Sequence, residues 1–404
     1  MRVLLIAGYM PWPENRGAAC GLLYWLIKDR PADVELTIHS FNFNKIPNDD
    51  VKWLEHDLGC AIDTIPLSCR NKFLHGASLL TKLFIWLARY PHNSYFNVPK
   101  YVKEDIEEGG YDAIWIYPHA FYRLAYEFPD KKFVITGMDC ESWNKLTRMS
   151  DPVFMKSTVN NLHQWVYRQQ DIRMERQMNR SNILYHLVGM PDLTFYERLT
   201  NANNGVFLLH PHYKSLPRKI KFSDGEINVL FAGAYNFFVK TDVDFMVKDF
   251  LKQKHLQEKI HITFLGKNWD SVSSELSIAG YDCEIKTWVD DYAEELMKHD
   301  VQITPITNGG GTKGKVLDAI SNGLLVISSQ MAALNIAVRD KDSILIYKYP
   351  EQISAMLTSI YNDKPRFERI AEKGREQVLK FHSPKRCSER FFGVVKQWID
   401  KEAK

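Results

Sequence analysis

The sequence predicts an α/β protein built from two Rossmann-like domains. Short apolar runs alternate with longer helical patterns along the chain, which is typical of βαβ units with parallel strands. At 404 residues the chain is too long for one ordinary hydrophobic core, so two domains are expected. The polar, basic stretch 213–226 contains a proline and a glycine and makes the best boundary. We therefore expect an N-terminal domain at 1–212, a C-terminal domain at 213–383 and a last helix at 384–404.

Composition and charge exclude several classes of protein. Hydrophobic residues make up 45% of the chain and charged residues 25%, as in a folded globular protein. A net charge of +3 is too small to indicate a nucleic-acid partner, although it permits weak attraction to anionic lipid. The six cysteines are scattered without CxxC spacing, which predicts neither a zinc site nor a disulfide framework. Reduced thiols in a cytoplasmic protein are the simplest interpretation.

The N-terminus predicts a buried strand rather than a signal peptide. The apolar run 1–7 is short, and Pro11, Pro13 and Glu14 follow it at once. No run in the chain approaches the roughly 20 apolar residues that a membrane-spanning helix needs. If the protein works at a membrane, we expect it to lie on the surface.

The first half contains apolar runs that predict strands, separated by helical patterns. A helix at 17–29 follows the first strand, and the charged stretch 151–180 is predicted as one long helix. The predicted strands are 3–7, 35–40, 113–117, 133–137, 183–188 and 207–209.

The second half restarts the alternation of strands and helices. Its predicted strands are 228–232, 260–265, 283–286, 301–306, 324–328 and 343–347. Its predicted helices are 292–299, 313–322, 351–361 and 365–380. In the last helix Phe391, Phe392, Val395 and Trp398 recur at helical spacing, so we expect them to form its buried stripe.

Residues 308–323 are the strongest functional motif. An apolar strand runs into three consecutive glycines, and Lys313 and Lys315 follow at the start of a helical pattern that contains Asp318. Such a turn lets backbone amides approach an anion, and the helix N-terminus adds positive potential. The lysines could bind phosphates, and the carboxylate could accept hydrogen bonds from ribose hydroxyls. This combination suits a nucleoside diphosphate. An ordinary strand–helix turn with exposed lysines is the alternative, since short glycine motifs recur by chance.

The motif resembles the donor-site signature of glycosyltransferase family 4, Gly-x-Gly-x-x-x-Lys-x-x-Glu-Ala-x-x-x-Gly. Asp318 stands in place of the second glutamate of that family's Glu-x₇-Glu pair, and Gly310 stands where the first would fall. Segments 1–19 and 228–236 resemble the first strand and loop of each domain in the same family. The resemblance implies the GT-B fold, with two Rossmann-like domains facing across a cleft and a C-terminal helix that crosses back to the first domain.

The resemblance further implies transfer of a sugar from a nucleotide sugar, with that donor as substrate and no cofactor or metal. Family analogy suggests retention of configuration, a glycan or lipid-linked acceptor, and a role in bacterial surface polysaccharide synthesis. Two rivals remain open: a nucleotide-sugar 2-epimerase-like enzyme, and a non-catalytic nucleotide-sugar binding module. The second rival is motivated by Gly310 and by the lack of the family's usual diphosphate-clamping arginine near Tyr235.

Donor-binding candidates lie in loops that follow predicted strands, because ligands of open α/β sheets bind at the carboxyl ends of the strands. Arg16 and Gly17 could touch the phosphates or the acceptor, with a plain loop as an equal alternative. Trp288, beside Val289, could stack on the base or belong to the core. The donor-binding candidates are Arg16, Gly17, Gly233, Tyr235, Lys240, Lys267, Val289, Gly310, Gly311, Thr312, Lys313, Lys315 and Asp318.

Three residues of the first domain are candidates for acceptor activation. His119 follows a predicted strand, and histidine has the pKa for proton transfer near neutrality. A structural role is the alternative, since the chain has 13 histidines. Asp139 and Glu141 follow the next strand and are rival general bases, although Asp139 or Ser142 could equally cap a helix.

Two further segments have competing interpretations. Asp242 and Asp244 form an Asp-x-Asp pair, which we assign to a helix start, with Asp242 as its cap, rather than to a metal. Segment 70–90 has basic ends and an apolar middle and could lie on a bilayer near a lipid-linked acceptor. A buried helix is favoured, because its apolar residues surround the helix instead of forming one stripe.

Overall fold

The computed structural model describes residues 1–16, 19–76, 78–150 and 158–402. The chain divides into two compact units: the first comprises Met1–Pro211 with Pro384–Lys404, and the second comprises His212–Ser383. Each unit contains a β-sheet whose described strands all pair in parallel, with helices between successive strands. The predicted α/β fold class is confirmed.

The first unit has a seven-stranded sheet of order β3-β2-β1-β4-β5-β6-β7 in its described part. Its strands are β1 (Arg2–Ala7), β2 (Glu35–Phe41), β3 (Ile62–Ile65), β4 (Ala113–Tyr117), β5 (Phe133–Gly137), β6 (Ile183–Leu187) and β7 (Gly205–Phe207). Its helices are α1 (Cys20–Lys28), α2 (Asn48–Leu58), α3 (Cys69–His75), α4 (Leu79–Leu87), α5 (Lys100–Glu108), α6 (Leu124–Glu127), α7 (Glu141–Met149), α8 (Thr158–Met178), α9 (Met190–Thr200) and α17 (Pro384–Glu402).

The central strands of this sheet are apolar on both faces because helices cover both sides. Every residue of β4 and β5 is buried. The polar groups among them are paired: Trp115 Nε1 donates a hydrogen bond to Thr136 Oγ1 at 2.9 Å. Helix α17 packs onto this core, where the Phe391 ring lies 4.6 Å from the ring of Trp115. Phe391, Phe392 and Val395 are buried in that contact.

The second unit has a six-stranded sheet of order β10-β9-β8-β11-β12-β13 in its described part. Its strands are β8 (Ile227–Ala232), β9 (Ile260–Leu265), β10 (Asp282–Lys286), β11 (Val301–Thr304), β12 (Leu325–Ser329) and β13 (Leu345–Tyr347). Its helices are α10 (Lys240–Phe250), α11 (Asp270–Ile278), α12 (Tyr292–Leu296), α13 (Gly314–Ser321), α14 (Gln330–Ala333), α15 (Gln352–Asn362) and α16 (Lys364–Phe381).

Both sheets have a topological switch point, where the strand order reverses. In the first unit β1 connects to β2 on one side and pairs with β4 on the other. In the second unit β8 pairs with β9 and β11 in the same way. Ligands of open α/β sheets bind at this place, outside the carboxyl ends of the strands.

Three sequence-based expectations are corrected by the structure. Strand β3 was missed, because it has four residues and two of them are exposed. A single helix was expected at 151–180, and the structure has α8 at Thr158–Met178. Residues 151–157 lie outside the described residues, and α7 ends before them. The favoured interpretation of 70–90 as a buried helix is wrong: the segment forms α3 and α4, and α4 is largely exposed. Within the described ranges, no helix is long and apolar enough to cross a bilayer.

Candidate functional site

A pocket of about 290 Å³ lies at the switch point of the second unit. The loop after β8 forms one wall, and the loop between β11 and α13 forms another. Trp269 closes one side by donating its Nε1 hydrogen to Gly233 O at 2.7 Å. The pocket therefore stands at the edge of the sheet where a ligand is expected, and it is lined by Gly233, Asn236, Trp269, Thr304, Lys313 and Lys315, among others.

Three glycines shape the loops around this pocket through positive φ angles. Gly309 and Gly311 have φ of 106° and 63°, and Gly233 has φ of 122°. A β-carbon is strained in this region of conformational space, so these positions favour glycine. At Gly233 a β-carbon would stand 3.1 Å from Lys315 Nζ, so the missing side chain leaves the ammonium next to bare backbone.

The two loops are fastened to each other by hydrogen bonds. Thr307 N donates to Phe238 O at 3.0 Å, and Asn335 Nδ2 donates to Gly311 O at 2.9 Å from the other side. Gly310 O accepts a hydrogen bond from Lys313 Nζ. The glycine-rich loop thus has a fixed shape without a bound ligand, which reduces the entropy that a ligand would have to overcome.

Lys315 provides positive charge in the pocket. Among the described residues its ammonium forms neither a hydrogen bond nor a salt bridge. Desolvation lowers its pKa, and the nearby carboxylate of Asp318 opposes that shift. Lys315 is exposed as a residue, so solvent and ligand reach it. An anion bound beside it would recover the interaction that the ammonium lacks.

Asp318 has a structural partner. Its side chain is buried, with 7% of the residue exposed, and Oδ1 accepts a hydrogen bond from Tyr213 N at 3.0 Å. This bond attaches the chain entering the second unit to helix α13. The proposed contact of Asp318 with a ribose therefore stays a prediction. Thr312 lies in the loop before Lys313, which precedes the first residue of α13.

Lys240 and Tyr235 are engaged with each other and with Asp244. Lys240 Nζ lies 2.8 Å from Tyr235 OH and 3.0 Å from Asp244 Oδ2. The cation is therefore already compensated, unlike that of Lys315. Helix α10 begins at Lys240 with Val239 as its N-cap, so the expectation that Asp242 caps this helix is wrong.

The Asp-x-Asp pair directs its carboxylates to different partners. Asp242 Oδ2 accepts a hydrogen bond from Tyr347 OH, and Asp244 accepts from Tyr235 and Lys240. No cluster of three or more His, Cys, Asp or Glu side chains suited to a metal occurs in the described part of the chain.

The remaining donor candidates occupy neighbouring loops. Lys267, after β9, is exposed, and its carbonyl accepts from Tyr235 N at 2.9 Å. Val289 follows β10 and packs partly against the core under α13. Trp288 is 76% exposed and so does not belong to the core. An exposed indole at the carboxyl edge of a sheet is available for stacking.

Arg16 lies after β1 in the first unit. Its guanidinium is 5.4 Å from the centre of the Trp12 ring, and its backbone N–H donates to Cys20 Sγ. Arg16 is exposed, which leaves it accessible to an anion. Gly17 lies outside the described residues, and its predicted contact stays a prediction.

His119 opens a short 3₁₀ turn directly after β4. Only 5% of the residue is exposed, and Nδ1 has no hydrogen-bond partner among the described residues. Burial lowers the pKa of the imidazole, and Glu141 opposes the shift. The ring is therefore neutral near pH 7. A buried location is also what a structural histidine would have, so its catalytic role stays a prediction.

Asp139 and Glu141 follow β5 but have different surroundings. Asp139 Oδ2 accepts a hydrogen bond from Asn144 Nδ2 at 2.8 Å, so this residue orders the first turn of α7. Glu141 lies 3.3 Å from Lys145 Nζ, one turn along the same helix. Lys145 and His119 lower the pKa of Glu141 against desolvation, which raises it. Glu141 is thus an ionised carboxylate next to a neutral imidazole.

The structure contains an ionic cluster next to Glu141 that the sequence did not predict. Lys145 bridges Glu141 to Asp171 of α8, with 2.5 Å between Nζ and Asp171 Oδ2. Glu175, one turn further along α8, is fully buried and accepts from Ser142 N at 3.0 Å. Burial raises the pKa of Glu175 to about 7. Asp171 and Glu175 are like charges one helical turn apart, which is unfavourable on an exposed helix. This spacing is the sequence feature that could have indicated a polar interior beside α8.

Comparison with known proteins bears on both units. Residues 226–363 match the family model described as glycosyl transferases group 1. Comparison with curated protein sequences gives no significant match.

Solved structures match over nearly the whole chain. HepE from Anabaena, in complex with UDP-glucose, is 10% identical with a TM-score of 0.62 and covers 98% of this chain and 99% of its own. Sucrose-phosphate synthase from Thermosynechococcus elongatus is 12% identical with a TM-score of 0.70, covering 99% and 100%. A glycosyltransferase from Rickettsia africae is 11% identical with a TM-score of 0.62, covering 98% of each chain. The chain therefore has the GT-B glycosyltransferase fold, and residues 226–363 of its second unit match the group 1 family model, which confirms a resemblance to group 1 glycosyltransferases.

Proposed function

We propose that this protein transfers a sugar from a nucleoside diphosphate sugar to a glycan or lipid-linked acceptor, as family 4 glycosyltransferases do. The observation that carries the proposal is the ammonium of Lys315, which lies against the bare backbone of Gly233 in the pocket and has neither a hydrogen bond nor a salt bridge among the described residues. A diphosphate supplies the charge that this pocket lacks, and it accepts hydrogen bonds from backbone amides.

The other donor contacts follow from the positions of the loops around the pocket. Lys313 precedes α13, so its charge adds to that of the helix N-terminus. Trp288 is exposed beside Val289, where it would stack on the nucleotide base. UDP-glucose is the first donor to test, because a structure of similar fold is described with that ligand.

Acceptor activation is assigned to the first unit. His119 is neutral and has an unpartnered Nδ1 among the described residues, so it is able to accept a proton from a hydroxyl. Glu141 would stabilise the imidazolium that forms, because its carboxylate is ionised and influences the pKa of His119. Asp139 is the weaker candidate, since its carboxylate is already bonded to Asn144.

The proposal includes transfer without a metal and with retention of configuration. Lysines and amides would stabilise the leaving diphosphate, a role that metal ions fill in other enzymes. Support for this comes from the divergent partners of Asp242 and Asp244. Retention rests on family analogy alone, and the anomeric configuration of the product decides it.

The cellular setting is also part of the proposal. We place the reaction in the cytoplasm, at the inner face of the membrane, within bacterial surface polysaccharide synthesis. The six cysteines form no disulfide, which suits a reducing compartment.

A donor screen followed by a turnover assay tests the function. Nucleoside diphosphates should raise the melting temperature, because a ligand that binds only the folded state stabilises it. UDP-glucose with a saccharide acceptor should then release UDP, and EDTA should leave the rate largely unchanged. Binding without turnover on any acceptor would favour a binding module, and sugar isomerisation without an acceptor would favour an epimerase.

His119→Ala tests the assignment of the acceptor side. Loss of a general base lowers the rate by about 10²–10⁴-fold, so turnover should fall by that factor while nucleotide affinity stays the same. His255→Ala, an exposed histidine of the second unit, is the matched control. Normal turnover in His119→Ala would transfer the role to Glu141 or Asp139.

A further inference from the structure

Helix α4 exposes six large apolar side chains to solvent. Leu79, Leu80 and Leu87 are 85%, 72% and 66% exposed. The first turns of α8 add three more exposed apolar residues. Soluble proteins rarely expose contiguous apolar areas of this kind unless the area binds something. This apolar surface is defined as Leu79, Leu80, Leu83, Phe84, Trp86 and Leu87 of α4 with Val159, Leu162 and Trp165 of α8.

The outward face of α4 is its apolar face. At about 100° per residue, the six apolar residues occupy an arc of about 160° on the helix. The opposite side carries Thr81, which is buried, with Ile85 and Ala88, which are half-buried. A helix that packs on a core normally buries its apolar stripe and exposes its polar side. In α4 the wide apolar arc faces solvent instead.

Polar bonds attach α4 to the first unit, together with ring contacts of Phe84 with Phe73 and Tyr95. Gln170 of α8 donates from Nε2 to Ile85 O at 2.7 Å and to Ala88 O at 2.8 Å. Thr81 Oγ1 donates to Phe73 O at 3.0 Å. The end of α4 therefore rests on the middle of α8. Trp165 precedes Gln170 by five residues, which is about 7.5 Å along the helix axis.

The two sequence segments that carry the apolar surface contain no acidic residues. The sequence contains no Asp or Glu at 64–103 or at 152–170, although the whole chain has 49 acidic residues against 52 Lys and Arg. Asp171 and Glu175 of α8 are buried. The exposed cations on and beside α3 and α4 are Arg70, Lys72, Lys82 and Arg89.

We propose that the apolar surface docks onto an anionic lipid bilayer, with α4 lying in the interface between headgroups and acyl chains. Apolar residues enter the hydrocarbon boundary, and flanking lysines and arginines contact anionic headgroups. With nine residues α4 is too short to span a bilayer, so it lies along the surface. The test of this docking does not depend on the proposed function.

A second copy of the chain fits this surface less well. A symmetric dimer would place the same patch of each copy face to face. The four cations of one copy would then oppose the four of the other, and like charges across an interface are unfavourable. A bilayer with anionic lipid has the opposite charge and accepts the apolar side chains.

Vesicle flotation of the full chain tests the proposal. The protein should float with vesicles of phosphatidylcholine and phosphatidylglycerol at 7:3, and much less with phosphatidylcholine alone. Raising the salt concentration should weaken binding, because screening reduces the attraction. Lys82→Gln with Arg89→Gln should weaken binding to anionic vesicles at least tenfold, since each basic residue near the surface contributes about fivefold.

The apolar contribution has its own variant and a matched control. Leu80→Ser with Leu83→Ser should reduce the bound fraction at least tenfold without unfolding the protein, because both side chains are exposed. Ile278→Ser, which changes an apolar residue of the second unit that is 89% exposed, should bind as the wild type does. Circular dichroism verifies that each variant is folded.

Three results would overturn the proposal. The wild-type protein could fail to float with anionic vesicles. The leucine variant could bind as tightly as Ile278→Ser, which would mean that α4 is not the contact. Light scattering could show a wild-type dimer that Leu80→Ser with Leu83→Ser dissociates, which would identify a second copy as the occupant.

Discussion

The candidate sites of the two units occupy equivalent edges of similar sheets, yet they are built in different ways. In the second unit, both lysines of the pocket come from the contiguous segment 308–323, and the rest of its wall comes mainly from β8 and the loop after it, from Trp269 and from residues 303–308. In the first unit, the side chains come from separate segments, with His119 after β4, Glu141 and Lys145 on α7, and Asp171 on α8. Charged groups that lie in one contiguous segment are visible in sequence, whereas groups brought together from distant segments need the fold.

The charge balance of the two sites also differs. Lys315 has no ionic partner among the described residues, so its pocket is prepared for an anion. Lys145 lies between the carboxylates of Glu141 and Asp171, so the cluster in the first unit is already compensated. The comparison therefore predicts that lysine substitutions affect ligand binding in the second unit and stability in the first.

Lys145→Met should have the largest effect on stability. Removing the ammonium leaves Glu141 and Asp171 close together without a counterion, and breaking a buried ion pair costs about 3–5 kcal/mol. Part of Glu141 is exposed, so we expect about 3 kcal/mol, measured by denaturant unfolding. Lys100→Met is the control: Lys100 pairs with Glu104 on the surface, where solvent screens the pair, so its loss should leave stability nearly unchanged. Equal effects from the two variants would contradict the contrast between the units.

Glu175→Gln should remove a pH dependence of stability. Burial raises the pKa of Glu175 from 4.5 to about 7, so folding favours the protonated acid. Its contribution to stability is complete below pH 4.5 and is lost as the pH rises through about 7, an effect on the order of 3 kcal/mol. The neutral amide does not titrate, so the free energy of unfolding of the variant should lack this decline with pH. Denaturant unfolding of wild type and variant at a series of pH values measures the difference. Glu104→Gln, on the surface, is the control, and parallel curves for wild type and Glu175→Gln would contradict the assignment.

The same contrast explains which features of the structure could be predicted from the sequence. Apolar runs placed most strands, because a strand buried on both faces needs a continuous apolar segment. Strand β3 and the exposed helix α4 broke that rule, β3 through its exposed residues and α4 because its apolar residues face solvent. Residues 308–323 were recognised because loop, lysines and helix are contiguous. The partners of Lys240, Asp318 and Lys145 were not foreseen, since tertiary packing selects them.

Lys315→Ala should weaken nucleotide binding more than Lys240→Ala does. A hydrogen bond to a charged group contributes about 1.5–3 kcal/mol, which is roughly tenfold to a hundredfold in affinity. Lys240 is already bonded to Tyr235 and Asp244, so its loss should change UDP affinity by less than about threefold. Calorimetry with UDP measures both. Affinity for UDP should also fall as the pH rises through the lowered pKa of Lys315, because the anion binds the protonated amine. A larger loss from Lys240→Ala would move the diphosphate toward α10.

Trp288→Ala should have the smallest effect, and it separates base from phosphate recognition. Stacking of a base on an aromatic side chain contributes about 1–3 kcal/mol, and a ring that is 76% exposed belongs at the low end, near fivefold in UDP affinity. Phe245→Ala, an exposed aromatic residue on α10, should leave UDP affinity unchanged. Inorganic pyrophosphate is the second ligand to test, because it has phosphates but no base. Lys315→Ala should weaken its binding, whereas Trp288→Ala should not. If Trp288→Ala weakens pyrophosphate and UDP equally, the indole shapes the loop after β10 and does not stack, and base recognition then rests on the backbone beside Val289.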